Sequence, residues 1–158
     1  MIVEAEQFIL KDSNGKRQAT LNAAETGPTL RLYDPGGNMR IVLAVGPNGP
    51  VLAFFNEDGT MRASLGAFAE TVVLQLHDEV GRPRAVMDLT GGETSFSHLN
   101  EDGMQRAGFR SSDEGGGLNF YDAALNTRLS VGLREDGEPI LVLVDAHGNS
   151  VFLPYDPK

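Results

Sequence analysis

Five arginines recur at intervals of 22 residues: Arg40, Arg62, Arg84, Arg106 and Arg128. Seven residues before each stands Tyr33, Phe55, His77, Leu99 or Tyr121 in turn. A cationic row beside a mostly aromatic one is chemistry for holding a partner, through ring faces and guanidinium hydrogen bonds, and not for making or breaking bonds. The candidate ligand-binding residues are therefore Tyr33, Phe55, His77 and Tyr121 together with the five arginines.

A second periodic column is acidic or amidic: Asp12, Asp34, Asn56, Asp78, Asn100, Asp122 and Asp145, separated by five steps of 22 and one of 23. Calcium needs roughly six to eight oxygens and usually a bidentate Glu, which the spacing around Asn56, Asn100 or Asp136 does not complete. The column is read instead as turn residues bonding back to their own backbone. The three histidines, His77, His98 and His147, occupy different columns, and nothing in the repeat converges them on one metal. Ser95, Ser97, Ser111 and Ser112 lack the Gly-x-Ser-x-Gly setting of a nucleophile elbow. With no Cys in the chain, thiolate chemistry, disulfides and cysteine-ligated zinc are excluded. No catalytic residue, no metal and no cofactor is expected; a hydrolase using the turn carboxylates is the enzymatic alternative.

These columns belong to a repeated unit. Three residues after each Asp or Asn lies Gly15, Gly37, Gly59, Gly81, Gly103 or Gly148, with Leu125 as the exception. Four and two residues before it stand apolar pairs such as Leu30/Leu32, Leu52/Phe54, Leu74/Leu76 and Leu118/Phe120. Alternation of this kind is the period of a half-buried strand. Asp-Pro-Gly-Gly and Gly-Pro-Asn-Gly sequences close the two ends of a unit as turns. The 158 residues thus read as one all-β domain, 1–158, of seven hairpin units and about fourteen strands. The units run over about 1–28, 29–50, 51–71, 72–93, 94–116, 117–138 and 139–158.

Side-chain parity constrains the turns. A three-residue loop with a glycine bulge would pair Leu32 with Arg40 and mix apolar with charged columns. A four-residue loop, Asp34 to Gly37, pairs Tyr33 with Asn38, Leu32 with Met39 and Leu30 with Ile41, and is preferred. The Gly46–Gly49 connection pairs Val45 with Pro50. Register then slips two residues per unit, a stagger that permits closure into a barrel roughly 25 Å across. The expected fold is an antiparallel meander, a closed or flattened barrel with the apolar columns facing the core. The alternative is a β-solenoid, whose parallel stacking would place the arginines in a like-charge ladder about 4.8 Å apart.

Leu32-Tyr33-Asp34-Pro35-Gly36-Gly37-Asn38 and Phe120-Tyr121-Asp122 resemble the tyrosine–aspartate repeats of Rhs-type proteins, whose hairpins spiral into a shell. Phe54-Phe55-Asn56-Glu57-Asp58-Gly59-Thr60-Met61 is locally similar to choline- or glucan-binding cell-wall repeats, which imply glycan recognition through Trp and Tyr clusters. Hairpins set as petals of a shallow barrel resemble the β-flower group. None of these resemblances implies an enzyme activity.

The net charge of −9 argues against nucleic acid and anionic membranes as partners. The first residues carry no basic segment, and no run of about eighteen apolar residues exists, so neither a secretory signal nor an integral membrane segment is expected. Compartment is not fixed by this. The sequence reads as a non-enzymatic binding or structural repeat module. Its partner is a protein, a glycan or an apolar ligand; the last would be carried in a barrel lumen. Open sheet edges offer a route to oligomers.

Overall fold

The computed structural model describes residues 2, 4–134 and 136–151. Glu135 and the end of the seventh unit, residues 152–158, lie outside them. The chain divides into two compact units, Met1–Arg82 and Pro83–Lys158.

The first unit holds β1 (Gln7–Lys11), β2 (Arg17–Ala24), β3 (Gly27–Tyr33), β4 (Met39–Gly46), β5 (Gly49–Phe55), β6 (Met61–Phe68) and β7 (Thr71–His77). The second holds β8 (Pro83–Thr90), β9 (Glu93–Leu99), β10 (Gln105–Ser112), β11 (Gly115–Tyr121), β12 (Thr127–Leu133) and β13 (Pro139–Leu143). In each unit every strand pairs antiparallel with its neighbour in sequence, so the fold is an all-β hairpin meander. Parallel stacking, on which the solenoid alternative depends, does not occur among the described pairings. Where a fourteenth strand was expected, the described chain has a single bridge, Val144 to Ser150.

The turn at Asp34 corrects the expected register. Asp34 N–H donates to the Asn38 carbonyl at 2.9 Å and Gly37 N–H to the Asp34 carbonyl at 2.9 Å, which makes a three-residue loop. Parity is restored two residues later. Tyr33 pairs with Met39 and Leu32 with Ile41, leaving Arg40 as the extra residue of a β-bulge. The same bulge skips Gln18, Arg62, Arg106 and Arg128. The other connection is as expected, with Val45 opposite Pro50.

The bulge also cancels the expected stagger. Leu30 pairs with Leu43, and Leu43 with Leu52, the equivalent of Leu30 one repeat later. Register therefore returns to its starting point after each repeat. A sheet needs cumulative stagger to tilt its strands and close, so neither unit forms a barrel. The meander is open, and the lumen of the apolar-carrier reading has no enclosure within either unit.

The apolar columns do share one face. In the first unit Phe8, Leu21, Leu30, Leu43, Leu52, Leu65 and Leu74 form one row, and Leu32, Ile41, Phe54 and Leu76 belong to the next. This face is not a covered core. Leu43, Leu65 and Leu76 remain 45–50% exposed. The most buried side chains, Thr20 and Ala53, lie on the opposite face, where small residues sit between larger neighbours of their rows.

Candidate functional site

Each bulge arginine is placed by the backbone irregularity that creates it. The β4–β5 ladder ends at Ile41 and Phe54, because Arg40 is displaced from the strand. The next carbonyl along β5, that of Phe55, receives the Arg40 Nε–H at 2.8 Å. Arg62 Nε donates in the same way to the His77 carbonyl at 3.2 Å, and Arg84 Nε to Leu99 at 2.9 Å. Arg106 donates to the Asp122 carbonyl at 2.5 Å and Arg128 to that of Asp145. The row thus ties each hairpin to the next.

Some of these arginines also bind their own turn. Arg40 reaches Asp34 Oδ2 at 3.2 Å, and Arg128 reaches Asp122 Oδ2 at 2.6 Å. The turn carboxylates are held by backbone first. Asp34 Oδ1 accepts the Asn38 N–H at 2.9 Å; with the Asn38 amide and the Arg40 guanidinium, this holds its carboxyl below the usual range. The side-chain amide and backbone N–H of Asn126, then Arg128, bring Asp122 down to about 2. Desolvation alone would raise Asp78, but the N–H groups of Arg82 and Val80 and the Arg82 guanidinium bring it to about 2. These carboxylates are ionised hydrogen-bond acceptors that close turns. Among the described residues no group of three or more His, Asp or Glu is placed to hold a metal ion.

Tyr33, Phe55, His77 and Tyr121 end their strands on the face opposite the leucines, as parity requires. In the first unit Met39 and Met61 stand opposite Tyr33 and Phe55, and Arg17 lies 5.7 Å from the Tyr33 ring centre. Tyr33, Phe55 and His77 are half-buried in this row.

Tyr121 has different surroundings. In the second unit the face it shares contains a mostly polar hollow of about 270 Å³, where Ser95, Ser97, Gln105, Arg110 and Asn119 meet Tyr121 and Phe109. A neighbouring hollow of about 370 Å³ shares Arg110 and Asn119 and extends over Gly117, Ser130 and Gly132 to Ile140. The hollow exists because the repeat is broken there. Where the first unit carries Val51 and Val73 on this row, the second carries Ser95 and Gly117. Gln105 Nε2 donates to Ser97 Oγ at 3.2 Å, Ser95 Oγ to Asp88 Oδ2 at 2.6 Å, and Arg110 lies 3.6 Å from Glu93. Side chains from β9, β10 and β11 thereby present donors and acceptors around a glycine floor.

Of the nine candidate residues, only Tyr121 lines this hollow. Arg110 and Asn119 are the residues the periodic reading passed over, since they break columns instead of repeating them. The run Gly115-Gly116-Gly117 followed by Gly132 is the sequence signal that marks the place. The chain matches no protein-family model and no curated protein.

Proposed function

We propose that the chain is a non-enzymatic structural and binding module whose second unit takes a polyhydroxylated ligand, of oligosaccharide type, in the polar hollow of β9–β12. The observation that carries this reading is the hollow itself. It combines an amide pair (Gln105, Asn119), hydroxyls (Ser95, Ser97), the Arg110 guanidinium and the rings of Tyr121 and Phe109 around Gly108. Binding sites commonly combine a concave surface with a few well-placed polar groups. Mixed donors and acceptors suit hydroxyl groups, which both donate and accept, and the tyrosine ring offers a flat apolar face. In this reading Tyr121 is the member of the aromatic row that meets ligand, while Tyr33, Phe55 and His77 belong to the first unit and lie outside the hollow. The five arginines act as ties that keep the hairpins in register.

Calorimetric titration with a panel of neutral and acidic oligosaccharides tests this. Binding that weakens at least tenfold in Asn119→Ala and Tyr121→Ala, with unchanged circular dichroism, supports the reading. Equal affinity in wild type and both variants removes it.

A further inference from the structure

We infer that the leucine face of the first unit is an interface with a second copy of this chain, laid face to face as the missing layer of a β-sandwich. A sheet with one apolar face is stable only when that face is buried against another layer. Here the face is open: eleven large apolar side chains of β1–β7 on it, from Leu32 to Leu10, remain 37–63% exposed. No Lys, Arg, Asp or Glu lies on its two central rows. Acidic groups such as Asp34, Glu57 and Asp78 sit in the turns at its rim.

Three features favour a second copy as the occupant. At about 25 cal/mol/Å², ~1.5–3 kcal/mol per fully buried Leu, Val or Phe corresponds to roughly 60–120 Å² each, so these eleven half-open side chains still expose about 330–660 Å² of apolar surface. The upper end reaches the roughly 600 Å² per partner at which standard stable interfaces begin. The rows repeat every 22 residues without slip, so a twofold-related copy presents matching rows of leucine at a sheet spacing of ~10 Å. The acidic rim disfavours an anionic lipid surface, whereas an uncharged face against its own copy buries no charge. The polar hollow lies in the second unit and shares no residue with this face, so this inference stands or falls separately from the ligand reading.

The test is the mass of the full chain in solution by multi-angle light scattering from micromolar to tens of micromolar concentration. The expected particle contains at least two 17.0 kDa chains. Leu43→Glu with Leu65→Glu is expected to raise the dissociation constant roughly 100-fold, as hot-spot losses do. Gln75→Glu on the opposite face should leave it unchanged. Because the charged pair can unfold the sheet, a second readout uses the absence of native Cys. Leu43→Cys should form intermolecular disulfides on mild oxidation and Ser64→Cys should not. A folded monomer at every concentration overturns the inference, as does equal cross-linking from both faces. Monomers that sediment with phosphatidylcholine vesicles would assign the face to lipid and overturn it too.

Discussion

The Nε–H of Arg40 donates to the carbonyl of Phe55, fifteen residues further along the chain, at 2.8 Å. The carbonyl lies one residue beyond the last β4–β5 pair, so the side chain takes over where the backbone ladder stops. The same arginine binds Asp34 in its own turn. One guanidinium therefore joins a turn, a bulge and the next hairpin, which explains why this position repeats more strictly than a surface charge would require.

Arg40→Ala should remove both bonds and leave the Phe55 carbonyl without its guanidinium donor. The guanidinium is more than a third exposed, so the expected loss is held to about 1 kcal/mol. For a chain of this size that is a fall of about 2–4 °C in melting temperature. Arg40→Lys should recover only part, because an ammonium cannot bridge two acceptors with the planar fork of arginine. A lysine variant as stable as wild type would show that charge alone matters at this position.

Acid should loosen the turns in a defined window. The carboxyls of Asp78 and Asp122 fall from an ordinary 3.8 to about 2 in the folded chain. A depressed carboxylate contributes its stability fully above the unfolded value and loses it as pH falls through the folded one. Thermal stability should therefore hold near neutrality, fall between about pH 4 and pH 2, and level off below. Asn56 and Asn100 show that an amide closes the same turn, with Asn56 Oδ1 accepting the Thr60 N–H at 2.9 Å. Asp78→Asn with Asp122→Asn should accordingly fold and lose less stability across that window. Melting curves of both proteins at successive pH values check this.

The repeat period, the strands, the turn residues and the shared apolar face were all legible, because each is local or strictly periodic. The bulge was not. In an unbroken ladder a three-residue loop pairs Leu32 with Arg40, so the pattern alone favours the longer turn. The chain instead uses the three-residue loop and skips Arg40, a remedy that pattern cannot distinguish from a longer turn. The expected stagger is absent for the same reason, and of the two expected forms, closed or flattened, the open flattened meander is the one the chain adopts. The hollow escaped for the opposite reason: Arg110, Asn119 and Gly132 depart from their columns, and a search for repetition discards departures. Tyr121 keeps its column and also lines the hollow, although its column-mates have different neighbours.

Glycines at the two kinds of turn should respond differently to substitution. Gly27 has φ of +117°, and a Cβ there would lie 1.7 Å from the Val45 carbonyl oxygen on β4. Gly27→Ala therefore forces the strands apart as well as straining the backbone, a cost of about 3 kcal/mol. Gly59, at φ +84°, would place its Cβ in open space. Gly59→Asn should cost under about 1 kcal/mol, because Asn visits the left-handed region most readily after glycine. Urea denaturation midpoints of the two variants compare the effects directly, and equal losses would show that backbone strain outweighs the close approach.

Leu125 offers the converse case. It occupies the glycine position of its turn, with φ of +64°, and its N–H still closes the turn onto the Asp122 carbonyl at 3.1 Å. A left-handed residue with a Cβ costs about 1–2 kcal/mol, while glycine adds back ~0.5–1 kcal/mol of unfolded-state entropy. The side chain is 46% exposed, so little packing is lost on removing it. Leu125→Gly should therefore stabilise the second unit by about 0.5–1 kcal/mol and restore the pattern of the other turns. A calorimetric melt reads the gain. A lower melting temperature would mean that Leu125 packs against something beyond its own turn, and a partner seated near β11 and β12 would then have to be sought.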